Sequence, residues 1–328
     1  MSDDPPVSPS TAASEGVGIE EARAFLADRF GGNVTAVEAL RPGGWSSAYG
    51  FVGDSVGYVI RFSAHVDDFH RDRLARLYVG PELPIPVVTE IGDAFGNSFA
   101  ISERLSGTPI DDVEGRQMRD LLPSLFAALD AMRRADVSGT TGYGGWGDDR
   151  NAPFPGWDAA LLSVSEDLPG SRGGGWRSRL EQSSVGAAMF DEACATLEEL
   201  ARSAPKDRHL IHSDLMNYNV LVSGPNLTGV IDWGCAMYGD FLYDLAWLVF
   251  WWPWRPAWRD IDILAEAKRH FDEIGLVIPQ FDERLRLCLI HIGLSNLAYV
   301  AFIGRWDQAQ EVSERTLLFS RGSISGSL

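Results

Sequence analysis

The stretch "HLIHSDLMNYNVLVSGPNLTGVIDWG", residues 209–234, decides how the rest of the chain is understood. "VLV" (220–222) and "TGVI" (228–231) are strand-like, and "SGPN" between them is a turn cluster, so the segment predicts a β-hairpin. Its polar residues gather at the base: His212, Asp214, Asn219 and Asp232. A hairpin centred between Pro225 and Asn226 would set Asn219 opposite Asp232, with Cβ atoms about 4.5–5.5 Å apart.

A carboxylate beside a carboxamide oxygen suits a hard cation such as Mg²⁺, which takes one or two protein oxygens and fills its other positions with water and phosphate. Asp214, five residues before Asn219, falls in the preceding loop, where a carboxylate can accept a hydroxyl proton. One loop Asp for the acceptor, an Asn five residues later and a second Asp for metal make the layout of kinase-type phosphoryl transfer. Read as a loop cap and a turn residue, Asp214 and Asn219 would be ordinary, but the clustering at the hairpin base would go unexplained.

Outward from the hairpin, residues 18–30 carry apolar residues at helical spacing with acidic residues near the start. "VTAVEAL", "SAYGFVG" and "GYVIRFSA" predict three strands, "VDDFHRDRLARLYV" a helix, and "VVTEIG" and "SFAISERL" two more strands. Residues 115–135 and 188–203 predict long amphipathic helices, and the chain is mostly helical again from 242. The expected fold is α+β in two lobes. A small antiparallel β-rich lobe over 17–105 would bind nucleotide, and a larger, mostly helical lobe over 106–328 would carry catalysis and substrate; a tail over 1–16 is expected to be disordered. A cleft between lobes is a usual ligand site.

The 328 residues carry a formal charge of −18, which argues against a nucleic-acid partner and favours cationic small molecules. Only two lysines occur, Lys206 and Lys268, so phosphate contacts before residue 206 fall to Arg, backbone N–H groups or metal. Cys194, Cys235 and Cys288 lie far apart and suggest reduced thiols in a cytoplasm. No secretory signal opens the chain, and no apolar run is expected to span a membrane. The sequence does not settle the oligomeric state; a monomer is the working expectation.

"HSDLMNYN" followed by "VIDW" resembles the His-x-Asp-x-x-x-x-Asn motif and second Asp of the aminoglycoside phosphotransferase family, and "GDFLYDLA" (239–246) its next segment. "GYVIRFSAHVDDFHRDR", "LPIPVVTEIG", "VIDWGCAMYGD" and "FWWPW" resemble the hygromycin B phosphotransferase branch. The resemblance implies a protein-kinase-like fold with ATP (or GTP) between the lobes and Mg²⁺ on Asn219 and Asp232. It implies Asp214 as catalytic base, His212 bracing its loop, and adenine held by backbone groups near Ser102, Glu103, Arg104 and Leu105.

Many kinases grip the α/β-phosphates with a Lys on the third strand; here "GYVIRFS" has Arg61, a planar fork and not an equivalent exchange. No Glu occurs in 62–81 to pair with it; Asp67, Asp68 and Asp72 remain, and the resemblance favours Asp72 in "HRDR". "RPGGWSSAYG" (41–50), with Ser46 and Ser47, is a candidate phosphate-covering loop. "DLAWLVFWWPW" (244–254) predicts a buried helix stopped by Pro253, with Trp251 or Trp252 as candidate sugar-stacking faces. Asp260, Asp262 and Glu266 form a candidate acidic wall for an amine-rich substrate, though a solvated helix face fits them equally. Asp240 and Asp244 are expected to brace the catalytic loop.

The expected activity is therefore ATP-dependent phosphorylation of a hydroxyl on an aminoglycoside or aminocyclitol antibiotic, hygromycin B first among them. The same fold also serves kinases of choline or amino alcohols and nucleotide-binding pseudokinases. A protein kinase is disfavoured, because neither an Asp-Phe-Gly sequence nor an activation segment ending in Ala-Pro-Glu occurs.

Overall fold

The computed structural model describes residues 16–41, 43–168 and 170–324. The expected tail over 1–16 lies, apart from Gly16, outside the described residues. Helix α1 (Ile19–Arg29) begins with Glu20 and Glu21, and the Glu21 carboxylate accepts the Gly18 amide at 2.8 Å. Strands β1 (Val34–Ala39), β2 (Ser47–Gly53), β3 (Val56–Ser63), β4 (Val88–Ala94) and β5 (Asn97–Glu103) form one antiparallel sheet in the order β1-β2-β3-β5-β4. Asp54 and Ser55, both at positive φ, make the two-residue turn that matches the strand twist between β2 and β3. Tyr49, Phe51, Ile60, Phe62, Phe99 and Ile101 alternate onto one face and bury Ala22 and Leu26 of α1. Helix α2 (Val66–Ala75) crosses the other face, where Phe69 packs with Val88 and Ala100.

Beyond the sheet the chain runs through β6 (Thr108–Pro109), α3 (Gly115–Arg134), β7 (Gly144–Gly145), α4 (Trp157–Leu162), α5 (Trp176–Gln182) and α6 (Ala188–Ala201). Then come β8 (His209–Ile211), β9 (Val220–Ser223), β10 (Asn226–Val230), β11 (Met237–Gly239), α7 (Leu242–Trp251), α8 (Ile263–Glu273), α9 (Phe281–Ile303) and α10 (Trp306–Ser320). Two small sheets, β10-β9-β6 and β7-β11-β8, frame the segment 212–219 between them. Every residue of α7 is buried, Asp244 included, as a helix apolar on all sides but one residue must be. Leu83 and Ile85 join this second core although they precede β5, and the Val230 amide donates to the Pro84 carbonyl at 2.8 Å.

Two expectations need correction. First, α9 is long and apolar enough, by length and composition, to cross a membrane. In the structure it packs on α6, α7 and α10, with most of its apolar residues buried. Second, the hairpin register differs by one. The turn falls on Gly224 and Pro225, and a bulge between Leu227 and Gly229 sets Val230 opposite Val220. Asn219 therefore faces Ile231, whose amide it accepts at 2.9 Å, and Asp232 lies one step beyond the ladder.

Candidate active site

Asp214 follows β8 in a loop whose backbone is pinned by buried carboxylates. Asp244 of α7 accepts the amides of His212 (2.9 Å) and Ser213 (2.8 Å). Asp111, in the turn after β6, accepts the amide of Tyr218 at 2.9 Å and pairs with Arg255. Asp72 of α2 accepts the amide of Trp233 at 2.7 Å. Ser213, Tyr218 and Asp232 all have positive φ (64°, 64° and 62°), which costs a non-glycine residue roughly 1–2 kcal/mol each. Each of these residues thus has its own amide, or the amide that follows it, held by an aspartate.

The pinned loop shapes the Asp214–Asn219 pair. Asp214 accepts from the Asn217 side chain with one carboxylate oxygen and from Asn219 Nδ2 at 3.1 Å with the other. Asn219 Nδ2 also donates to the Asp214 carbonyl at 2.7 Å. Both donors of the carboxamide are thereby used, and its Oδ1 meets no donor among the described residues. The Asp214 amide donates to His212 Nδ1 at 3.2 Å, so His212 is the tautomer whose Nε2–H donates to the Ile231 carbonyl at 2.9 Å. Burial holds that imidazole neutral, with its pKa lowered to about 4. Burial, then the charge of Asp232, pushes the Asp214 carboxyl well above the usual range, against the pull of the two asparagines.

Asp232 is half exposed to the cleft and lies 3.5 Å from Arg61 Nη1. Arg61 also pairs with Asp72, so Asp72 joins the β3 arginine to the turn that carries Asp232. The Asp232 carboxyl is raised by burial, and Arg61 opposes the rise. No cluster of three or more His, Cys, Asp or Glu able to hold a metal occurs among the described residues. One carboxylate and one open carboxamide oxygen are the donor set a cation needs when phosphate and water complete its shell.

At the other expected positions the structure is selective. The amides of Glu103 and Arg104 donate to Val87 (2.9 Å) and Gly57 (3.1 Å), so Leu105 is the residue of 103–105 whose amide has no partner among the described residues. Ser102 is buried within β5. Ser46 and Ser47 close the loop into β2, and Trp45 before them reaches across to α9, stacking on Phe302 with ring centroids 6.2 Å apart.

The proposed substrate wall is corrected. Trp251 and Trp252 are 8% and 7% exposed. The Trp252 indole N–H donates to the Trp258 and Ile261 carbonyls, and Trp251 packs among Trp247, Phe250 and Trp254. The apolar run that suggested sugar stacking is core. Asp262 caps α8 through the Ala265 amide at 3.0 Å, Glu266 pairs with Arg269, and Asp260 gives its carbonyl to Arg119. None of the three contacts the Asp214 loop. Asp240 holds Arg284 of α9 through two bonds of 2.8 and 2.7 Å.

Sequence reasoning missed Asn217, Asp111 and Arg255. Asn217 sat inside the quoted motif and could have been found. Asp111 and Arg255 are 144 positions apart, and nothing in the local pattern links them.

A cleft between an antiparallel sheet and a helical lobe, floored by Asp214, Asn219 and Asp232, defines a kinase-like phosphotransferase. The chain belongs to the phosphotransferase enzyme family, whose model matches residues 39–275. It is 30% identical over 288 residues to Hygromycin-B 4-O-kinase of Escherichia coli, covering 87% of this chain and 80% of that protein. The crystal structure of a thermostable mutant of aminoglycoside phosphotransferase APH(4)-Ia, in ternary complex with AMP-PNP and hygromycin B, matches with a TM-score of 0.80 at 28% identity, over 92% of this chain and 99% of that one. Spectinomycin phosphotransferase APH(9)-Ia shares the fold at a TM-score of 0.54 and 14% identity, over 95% and 96% of the two chains. The fold is that of the aminoglycoside phosphotransferases, and the phosphoryl donor of such an enzyme is a nucleotide.

Proposed function

We propose that this protein transfers the γ-phosphoryl group of ATP (or GTP) to a hydroxyl of an aminocyclitol antibiotic, with hygromycin B the first candidate. The observation that carries the reading is Asp214, fixed by Asn217 and Asn219 on one side and facing Asp232 across the cleft floor. Burial raises the proton affinity of this carboxylate, as accepting a hydroxyl proton requires. Asp214 takes the acceptor's proton as the acceptor oxygen bonds to phosphorus; the bond from phosphorus to the bridging oxygen breaks, and the nucleoside diphosphate leaves with that electron pair. Asn219 and Asp232 would hold Mg²⁺, which supplies charge neutralisation at the phosphates. Arg61, fixed by Asp72, would face the α/β-phosphates.

Residues 17–105 serve as the nucleotide-binding lobe and 106–328 as the catalytic and acceptor lobe. The charge of −18 favours a polycationic acceptor. Trp45, Tyr299 and Phe302 replace the buried tryptophans as aromatic faces for its rings. Action in the cytoplasm, as a monomer, completes the proposal. A Mg²⁺–ATP turnover screen across aminoglycosides, aminocyclitols, choline and amino alcohols tests the reading, with the product position read by mass spectrometry and NMR. Turnover confined to choline or a neutral alcohol would overturn the acceptor assignment.

A further inference from the structure

Helix α2 presents Asp68 and Asp72 four residues apart, on one face, to the turn that follows Asp232. Asp72 binds the Trp233 amide and holds Arg61. Asp68 rests on the same turn: a Cβ added to Gly234 would lie 3.0 Å from its carboxyl carbon. Asp68 also holds an arginine, Arg172, through two bonds of 2.9 and 2.7 Å. The two carboxylates therefore pin one turn and each carries a guanidinium beside Asp232. Arg61 comes from the sheet lobe; Arg172 comes from the helical lobe, in the loop before α5.

That loop is rich in glycine. Arg172 is followed by Gly173, Gly174 and Gly175, and Gly170 and Gly175 lie at positive φ. The guanidinium is about one-third exposed and stacks over the Trp45 indole at 4.4 Å, under the loop expected to cover the phosphates. Arg71 already contacts Asp68 at 3.3 Å and donates to the carbonyls of Trp146 and Gly234. Asp68 would thus keep a cationic partner if Arg172 left it.

We propose that Arg172 is a further catalytic residue: in the reacting complex its fork leaves Asp68 and binds the phosphoryl group in transit between nucleotide and acceptor. The proposal rests on the phosphotransferase reading of the cleft. Charge spreads over the three equatorial oxygens of that group, and an arginine aimed there stabilises the transition state more than the ground state. No new bond is made by Arg172; the acceptor's proton still passes to Asp214.

The test compares wild type with Arg172→Ala and Arg172→Lys in the full chain. Calorimetry gives the affinity for Mg²⁺–ADP alone and for Mg²⁺–ADP with fluoroaluminate, a planar mimic of the phosphoryl group. Arg172→Ala should bind Mg²⁺–ADP within about threefold of wild type, yet lose about 10²-fold in the fluoroaluminate complex and in kcat. Added guanidinium should restore part of that loss. Arg172→Lys keeps the charge beside Asp68 but lacks the planar fork, and should still lose at least about tenfold. An arginine that merely ties loop to helix would leave the ratio of the two affinities at its wild-type value in both variants, and that result would overturn the proposal. The ratio needs no acceptor, so failure on hygromycin B leaves this test standing.

Discussion

The amide of Trp233 donates to Asp72 at 2.7 Å although the two residues are 161 positions apart, and the second oxygen of Asp72 holds Arg61. One carboxylate therefore sets the positions of the β3 arginine and of the turn bearing Asp232. Asp72→Asn keeps an oxygen for the amide but loses the ion pair. It should raise KM for ATP several-fold with little change in KM for the acceptor. Asp72→Ala loses both contacts and should also cost about 3 kcal/mol of stability, as breaking a buried pair does. Steady-state kinetics and denaturant titration check the split.

Asp214 and Asp232 should fail differently. Asp214→Ala removes the base and should lower kcat by about 10²–10⁴-fold while Mg²⁺–nucleotide affinity stays near wild type. Asp232→Ala should weaken that affinity as well. An Asp214→Ala enzyme with wild-type kcat on its true acceptor would refute the base assignment.

Asp111 acts on the same loop from its far end. Its carboxylate accepts the Tyr218 amide, between the two asparagines that hold Asp214. Asp111→Ala also strands Arg255, which the ion pair keeps only 10% exposed. The variant should lose kcat by about tenfold or more and unfold at lower denaturant, with KM for ATP nearly unchanged.

The hairpin, the five-stranded sheet and the long helices were legible because each has a local period or a turn signal. The absence of Glu from 62–81 left Asp67, Asp68 and Asp72 as partners for Arg61, and the family resemblance of "HRDR" singled out Asp72, which the structure pairs with it. The register at Asn219 was not, because a bulge adds a residue without any mark in composition. For Trp251 and Trp252 the buried-helix reading holds, and the sugar-stacking alternative arose because aromatic residues look alike in sequence whether they line a cleft or fill a core. Asp111, Arg255 and Arg172 were invisible: their partners come from other segments of the chain, and only the folded chain brings them together.

His291 of α9 is buried against the Tyr243 hydroxyl at 2.9 Å, and burial lowers its pKa to about 4. The unfolded chain would bind a proton near pH 6.5, so folding is favoured above that pH. The contribution is lost as pH falls from about 6.5 toward 4, and amounts to roughly 3 kcal/mol in all. His291→Gln should flatten this limb of the stability profile, measured by urea titration between pH 4 and 7. An unchanged slope would show that His291 does not titrate there.

The acceptor's charge should be visible in salt. If long-range attraction draws a polycation to a protein of charge −18, KM for hygromycin B should rise several-fold between about 0.05 and 0.5 M NaCl. KM for a neutral acceptor should move far less.

Ser213, Tyr218 and Asp232 place left-handed backbone at three points around the catalytic floor, with no glycine at any of them. Glycine would relieve strain there, yet it would remove the hydroxyl, the ring or the carboxylate that each position supplies. Laboratory selection for heat resistance and selection for turnover would therefore pull opposite ways at the same three codons. A library screened for thermal survival alone should accumulate glycine at 213 and 218 and lose activity as it does so; one screened under antibiotic should hold these residues and gather its stabilising changes on the helical lobe's surface instead.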